Sequence, residues 1–282
     1  MDRKTLYTLN IGNFAPTVTE ITYPLMRHYA RKIGADFVII TERKFPGYPI
    51  PYEKLQIYEL AQERKDSWVY YIDADAMIHP EAIDFTNYIP KDTVAHNGQD
   101  FAAVRWKYDK YFLRDGRSIG SCNWLAIASE WCLDLWKPLD DLTLEEAVAN
   151  INITVAESRS GVIDREHLLD DYTLSRNIAK YGLKHTTIKA MSQRVFGQEL
   201  AFFWHAYVLP VADKTAQMRR VVKRIMDKDG QPNGWGIRDV LRDLSPVELD
   251  WLDEPDDSGP IDGQTRECQW KPAELVELVE AA

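Results

Sequence analysis

Cysteine is scarce in this chain: Cys122, Cys132 and Cys268 stand far apart among 282 residues, and no C-x-x-C pair occurs. An odd, widely spaced set builds neither a disulfide framework nor a structural zinc site, and it suits a reducing compartment. The sequon Asn152-Ile153-Thr154 is then read as without consequence. Long apolar runs are missing as well. None approaches the roughly 18 residues that cross a bilayer, and Met1-Asp2-Arg3-Lys4 leads straight into a predicted strand. With no room for a signal peptide or stem, the expectation is a protein that stays in the cytoplasm where it is made. Internal repeats are absent too. So is a charge excess through most of the length. The formal net charge of −10 arises from Asp239 onward, where 13 acidic residues face 3 basic ones, while the first 238 residues hold 31 of each. The acidity belongs to the tail and says little about what the rest of the chain binds.

What is present is a hydrophobic fraction of 45%, ample for a core, arranged as alternating strands and helices. Leu6 to Ile11 reads as a strand closed by Gly12-Asn13. Apolar Ile21, Leu25, Tyr29 and Ile33 recur at helical spacing over Thr19–Lys32, and Gly34 marks the helix end. Phe37–Ile40 reads as a buried parallel strand. A loop carrying Pro46, Pro49 and Pro51 leads to a predicted helix over Tyr52–Arg64, then to the strand Trp68-Val69-Tyr70-Tyr71-Ile72. This β-α-β-α-β order predicts an α/β fold with a mostly parallel sheet between helices. Further on, Ser121–Ala128 and Lys184–Lys189 read as strands. Trp131–Trp136, Tyr172–Tyr181 and a basic stretch over Lys214–Lys228 read as helices. Two regions are expected: a main domain over 1–212, and a small, mainly helical extension with the acidic tail over 213–282.

The third predicted strand ends in Asp73-Ala74-Asp75. Ligands of parallel α/β sheets bind beyond the carboxyl ends of the strands. Two carboxylates one residue apart point to opposite faces of a continuing strand, but both can turn to one cation if the strand breaks there. Buried charges at a strand mouth are costly unless paired or bound to metal. A Mg²⁺- or Mn²⁺-type ion held by oxygens and bridged to a diphosphate would neutralise charge on a leaving group. Read alone, an Asp-x-Asp triplet is also compatible with a structural carboxylate pair.

The run Glu53-Lys54-Leu55-Gln56-Ile57 followed by Trp68 to Ala76 resembles the core of GT-A-fold glycosyltransferases. It is closest to the fungal α-galactosyl/α-mannosyltransferase family and more distantly similar to the glycogenin-like family. Gly120 to Ile127 with Trp131, Asp170-Asp171-Tyr172-Thr173-Leu174, and His205 resemble later blocks in the same order, spanning about residues 5 to 215. The resemblance implies a GT-A, Rossmann-like sheet and transfer of a sugar from a nucleoside-diphosphate donor to an acceptor hydroxyl, with retention. It also implies Mn²⁺ or Mg²⁺ as cofactor. Residue by residue, it implies Asp75 as the main metal ligand, Asp73 as a contact to donor and metal, and His205 as the third ligand. Thr8, Asn10 and Ile11 would receive base or ribose, Lys54 would lie near the phosphates, and Asp170 or Asp171 would face the reacting sugar. The chain departs from the family pattern after His205, where Ala206-Tyr207 and the distant Lys214 replace the expected glycine and lysine. It is also read as departing from the fungal enzymes in their membrane anchor and stem, so a Golgi role is not expected.

Other readings stand beside this one. His205 lies in an apolar run and reads equally as a core histidine; Asp171 reads also as a helix N-cap, and Lys54 as a solvated helix residue. His79, His96 and His167 show no partner spacing and are expected at the surface. Arg105 to Arg114 interleaves cations with aromatics and is a candidate acceptor loop, which leaves a phosphorylated or nucleic-acid acceptor open. A haloacid-dehalogenase-type phosphatase also uses a strand followed by Asp-x-Asp, with Asp73 as nucleophile and Asp75 as acid. That fold wants Thr or Val where Met77 stands, and wants the motif on its first strand. A non-catalytic sugar-binding module is the third reading.

Overall fold

A computed structural model describes residues 2–80, 82–97, 123–151, 164–188, 203–205, 209–226 and 233–254. Strands β1 (Lys4–Leu9), β2 (Ala35–Ile40) and β3 (Trp68–Ile72) are separated by helices α1 (Pro16–Ile33) and α2 (Ile57–Arg64). They are followed by β4 (Ala76–Ile78), β5 (Thr93–His96) and β6 (Trp124–Ala128). Next come α3 (Ser129–Cys132), α4 (Leu144–Ala149), α5 (Leu169–Tyr181), β7 (Lys184–Thr187), β8 (Phe203–His205), α6 (Val211–Met226) and α7 (Asn233–Leu244). Six strands form one sheet in the order β2-β1-β3-β6-β5-β7. β1 pairs in parallel with β2 and β3, β5 in parallel with β7, and β6 runs against both of its neighbours. The mostly parallel α/β sheet expected from the element order is present.

Strand alternation sorts the core into two layers. Leu6, Tyr70 and Ile72 point to a cluster shared with α1, α6 and α7, while Tyr7, Val69 and Tyr71 point to a second cluster shared with α2 and α5. Tyr29 and Phe85 pack edge-on or tilted against Tyr70 and Trp124 in the first layer, at centroid distances of 6.2 and 4.8 Å. Such pairs each contribute about 0.5–1.5 kcal/mol beyond area burial. Met218, Val222, Ile237 and Leu241 of α6 and α7 belong to the same cluster as the sheet. The boundary expected at 212/213 therefore falls inside α6.

Several sequence expectations shift in the structure. β1 stops at Leu9 rather than Ile11, because Gly12 (φ 70°) and Asn13 (φ 56°) turn the chain into left-handed backbone. β2 is the sheet's edge strand and is only partly covered, not buried on both faces. The helix predicted over Tyr52–Arg64 opens as a 3₁₀ turn, Ile50–Gln56, before α2. β4, β5, β8 and α4 are too short to carry a periodicity and were not foreseen. Cys132 is buried and unbonded to another cysteine; Cys122, Cys268, the sequon at Asn152, the Arg105–Arg114 loop and most of the acidic tail lie outside the described residues. Among the described residues, no helix is long and apolar enough to cross a membrane.

Two histidines expected at the surface are in the interior: His79 is 3% and His96 1% exposed. His79 follows β4, and burial, followed by the Lys32 charge, pushes its pKa down to about 4. The folded-state value lies below the unfolded one. The resulting stabilisation is therefore complete above about pH 6.5 and is lost as pH falls towards 4. In His79→Gln, chemical denaturation at pH 7 and pH 4 is expected to show an acid loss smaller than that of the parent by about 3 kcal/mol.

Candidate active site

The chain breaks its third strand at the acidic triplet. Asp73 N–H donates to the Asn123 carbonyl at 3.0 Å as the last link to β6, and Ala76 N–H then folds back onto the Asp73 carbonyl at 2.9 Å. Thr22 of α1 fixes the turn from behind, its hydroxyl donating to the Ala74 carbonyl at 2.6 Å. With the strand broken, Asp73 and Asp75 no longer face opposite sides. β4 begins immediately afterwards and pairs antiparallel with β8, in the register Ala76↔His205. Directly opposed residues of an antiparallel pair project to the same side. This register is what brings His205, 130 residues further along, against the triplet.

The result is a compact donor set. His205 Nε2 lies 3.1 Å from Asp75 Oδ1 and 3.8 Å from Asp73 Oδ2. One ligand atom from each of Asp73, Asp75 and His205 falls within 4.8 Å of the others. Two hard carboxylate oxygens and one imidazole nitrogen fit a Mn²⁺- or Mg²⁺-type ion, which takes its remaining ligands from water or phosphate oxygens. Burial opposes charge on His205, but the Asp75 charge and hydrogen bond, with the Asp73 charge, outweigh it and raise its pKa. Burial likewise works against the Asp75 carboxylate, yet His205 and Lys214 hold it well below the usual range.

Around this set lies a cavity of about 480 Å³. Leu9, Ile11, Phe14, Pro49, Ile50 and Pro51 form an apolar wall, and Asp164, Glu166, His167, Asp170 and Asp171 stand on another part of the lining. The loop after β1 supplies Ile11 and Phe14. It holds Asn13 and Ala15 in left-handed backbone (φ 56° and 48°), a strain tolerated where a fixed side-chain position matters. Phe14, 42% exposed, stands 5.8 Å from the Lys214 ammonium.

The resemblance-derived residues do not all arrive where it implied. Ile11 lines the cavity, but Thr8 and Asn10 do not. Thr8 shares the face of Leu6, toward α1, and is fully buried. Asn10 is spent on the loop itself, its Oδ1 accepting the Phe14 N–H at 2.6 Å. Leu9, one residue out of that register, faces the cavity instead. Lys54 lines the wall but is neither solvated nor unengaged: its side chain is 4% exposed, 2.5 Å from Asp170 and 3.3 Å from Asp73. Burial would lower its pKa, and the charges of Asp170 and Asp73 raise it well above the usual value. Asp170 and Asp171 lie in the first turn of α5, after the Leu168 N-cap, so neither is the cap. His167, expected at the surface, is exposed there and also stands on the cavity lining.

Sequence reasoning set Lys214 aside as too distant from His205. In the structure it occupies the first turn of α6, lines the cavity and hydrogen-bonds Asp75. A lysine opening a basic helix soon after the candidate ligand was the available signal. Spacing along the chain hid it, because Lys214 stands nine residues beyond His205 and meets Asp75 only through the docking of α6 against α1. Thr17 and Thr215, with hydroxyl oxygens 2.9 Å apart, hold α6 to α1 so that Lys214 reaches the triplet.

No family model and no curated protein matches the chain. Among solved structures, one similar chain is a glycosyltransferase involved in glycosylation of the major capsid of PBCV-1, at 11% identity and a TM-score of 0.45, covering 77% of this chain and 98% of that one. Another is galactosyltransferase LgtC in complex with donor and acceptor sugar analogs, at 12% identity and a TM-score of 0.43, covering 89% and 99%. A third is a mutant Drosophila beta-1,4-galactosyltransferase 7 in complex with manganese, UDP-Gal and xylobiose, at 9% identity and a TM-score of 0.37, covering 66% and 64%.

Proposed function

We propose that this chain is a metal-dependent glycosyltransferase of the GT-A type, moving a sugar from a nucleoside-diphosphate donor to an acceptor hydroxyl. One observation carries the reading: two carboxylates and an imidazole converge within 4.8 Å at the carboxyl end of β3, inside a cavity with an apolar wall and two lysines. Asp73, Asp75 and His205 would hold a divalent ion, which when bound would offset charge developing on a departing diphosphate. Lys214, beside Asp75, adds a second positive charge on the leaving-group side. Leu9, Ile11, Phe14 and Ile50 offer an apolar surface for the flat face of a base.

The acceptor enters from the side of α5, where Asp171 lines the cavity beside Asp170. Because Lys54 holds the Asp170 carboxylate at 2.5 Å, that group is read as orienting the substrates rather than as a nucleophile. Retention of configuration rests on the resemblance alone, and would have the acceptor hydroxyl meet the anomeric carbon on the face the diphosphate leaves. The region expected to end near residue 212 carries most of this chemistry, and the segment after it contributes Lys214 and buttresses α1.

A panel of nucleotide sugars tests the donor class. A ligand at 100 times its Kd is expected to stabilise the fold by about 2.7 kcal/mol. The matching donor should raise the melting temperature with Mn²⁺ present and have little effect in EDTA. Equal shifts in both conditions would remove the metal from the reading.

A further inference from the structure

Tyr71 is a residue of the site for which neither the reaction nor the resemblance supplies a role. It sits on β3 two residues before Asp73, on the same face of the sheet, and is 1% exposed while lining the cavity. Its hydroxyl donates to Asp73 Oδ1 at 2.6 Å. The Lys54 ammonium reaches the same oxygen at 3.3 Å and lies 4.7 Å from the centre of the Tyr71 ring. Two donors therefore converge on Oδ1. Asp73 Oδ2 is the oxygen that faces His205, at 3.8 Å. A carboxylate can swing about its Cβ–Cγ bond, and unsupported it would present either oxygen, or neither, to a cation.

We infer that Tyr71 is a positioning residue for metal binding: its hydroxyl, with Lys54, pins one oxygen of Asp73 and aims the other at the ion. This rests on the metal reading of the Asp73–Asp75–His205 set. The ring is wedged against Trp136 at a centroid distance of 5.5 Å, so the hydroxyl has little freedom to follow a swinging carboxylate. Hydrogen-bond partners of metal-ligating carboxylates and histidines act this way in general, and removing one costs about 10- to 100-fold in metal affinity. Tyrosine suits the position because its oxygen lies at the end of a rigid ring anchored in the core, whereas serine or threonine would have to carry the hydroxyl on a short, rotatable stem.

The test is Mn²⁺ affinity, measured by electron paramagnetic resonance on the nucleotide-free protein, for the parent, Tyr71→Phe, Asp73→Ala, the double variant, and Asp75→Asn as reference. Tyr71→Phe deletes one oxygen and keeps the ring. The expected result is about 10-fold or more weaker Mn²⁺ binding, a melting temperature close to the parent's, and donor turnover largely restored at saturating Mn²⁺. In the Asp73→Ala background the same change should have no further effect, because Tyr71 acts through Asp73. That comparison remains readable if Tyr71→Phe is destabilised, since a purely structural role would weaken binding equally in both backgrounds. Affinity within twofold of the parent in Tyr71→Phe, with binding abolished in Asp75→Asn, overturns the positioning role and leaves the metal site standing. Binding unchanged in both overturns the metal reading itself, and this inference with it.

Discussion

Replacing Asp75 by asparagine is expected to reduce Mn²⁺-stimulated turnover of the nucleotide-sugar donor by at least ~10²–10³-fold, the scale on which loss of a charge-stabilising group slows reactions at such sites. Asp75 stands at the centre of the candidate site: His205 lies 3.1 Å from one of its oxygens, and Lys214 bonds the other. Asparagine preserves the shape and keeps one oxygen, but removes the charge that draws a divalent ion. The turn around it is held by main-chain links and by Thr22 rather than by the Asp75 side chain, so the fold should survive. Steady-state donor hydrolysis under Mn²⁺ titration, with circular dichroism as the fold control, checks it. Turnover equal to the parent's would mean that Asp75 holds no ion during the reaction.

Lys54→Met is expected to be the most destabilising single change in the cavity wall. Lys54 and Asp170 form a pair in which the side chains are 4% and 8% exposed, with Asp73 as a third member. Taking one partner from a buried pair leaves an uncompensated charge, at a cost of about 3–5 kcal/mol. For a domain of this size that corresponds to a fall in melting temperature of roughly 6–20 °C. Methionine fills most of the lysine's volume, so the loss reports charge rather than a cavity. Adding Asp170→Asn to Lys54→Met should recover part of the stability by removing the stranded carboxylate. Calorimetry on the two variants decides it. A double variant less stable than Lys54→Met would show that Asp170 is held by something other than this pair.

Some of the site was legible before the fold was known. The continuous apolar run of β3 ending in Asp-x-Asp marks a strand mouth from composition alone, and both carboxylates are found there. His205 could be reached only by resemblance, since nothing in its local run separates a ligand from a core histidine. Its partner is Ala76, through a three-residue strand pairing that leaves no trace in hydrophobic periodicity. Thr8 and Asn10 were expected at the cavity from the resemblance alone. Thr8 instead shares the inward face of Leu6, and Asn10 holds the loop that follows β1. His79 and His96 were expected outside for lack of a partner pattern, yet both are interior. Burial of a single residue depends on what lies across from it rather than on its neighbours in the chain.

The sequence by itself determined the layer order: buried strands alternating with amphipathic helices, and two acids at the one strand end where a ligand of a parallel sheet binds. These follow from periodicity and from the cost of burying charge, which act over a few residues. Only the tertiary structure decided that His205 and Lys214 meet Asp75, and that Lys54 and Tyr71 are committed to Asp170 and Asp73. Those contacts join residues 2 to 139 positions apart. They depend on strand register, on helix docking and on which face a side chain takes, and these are settled by the packing of the whole core.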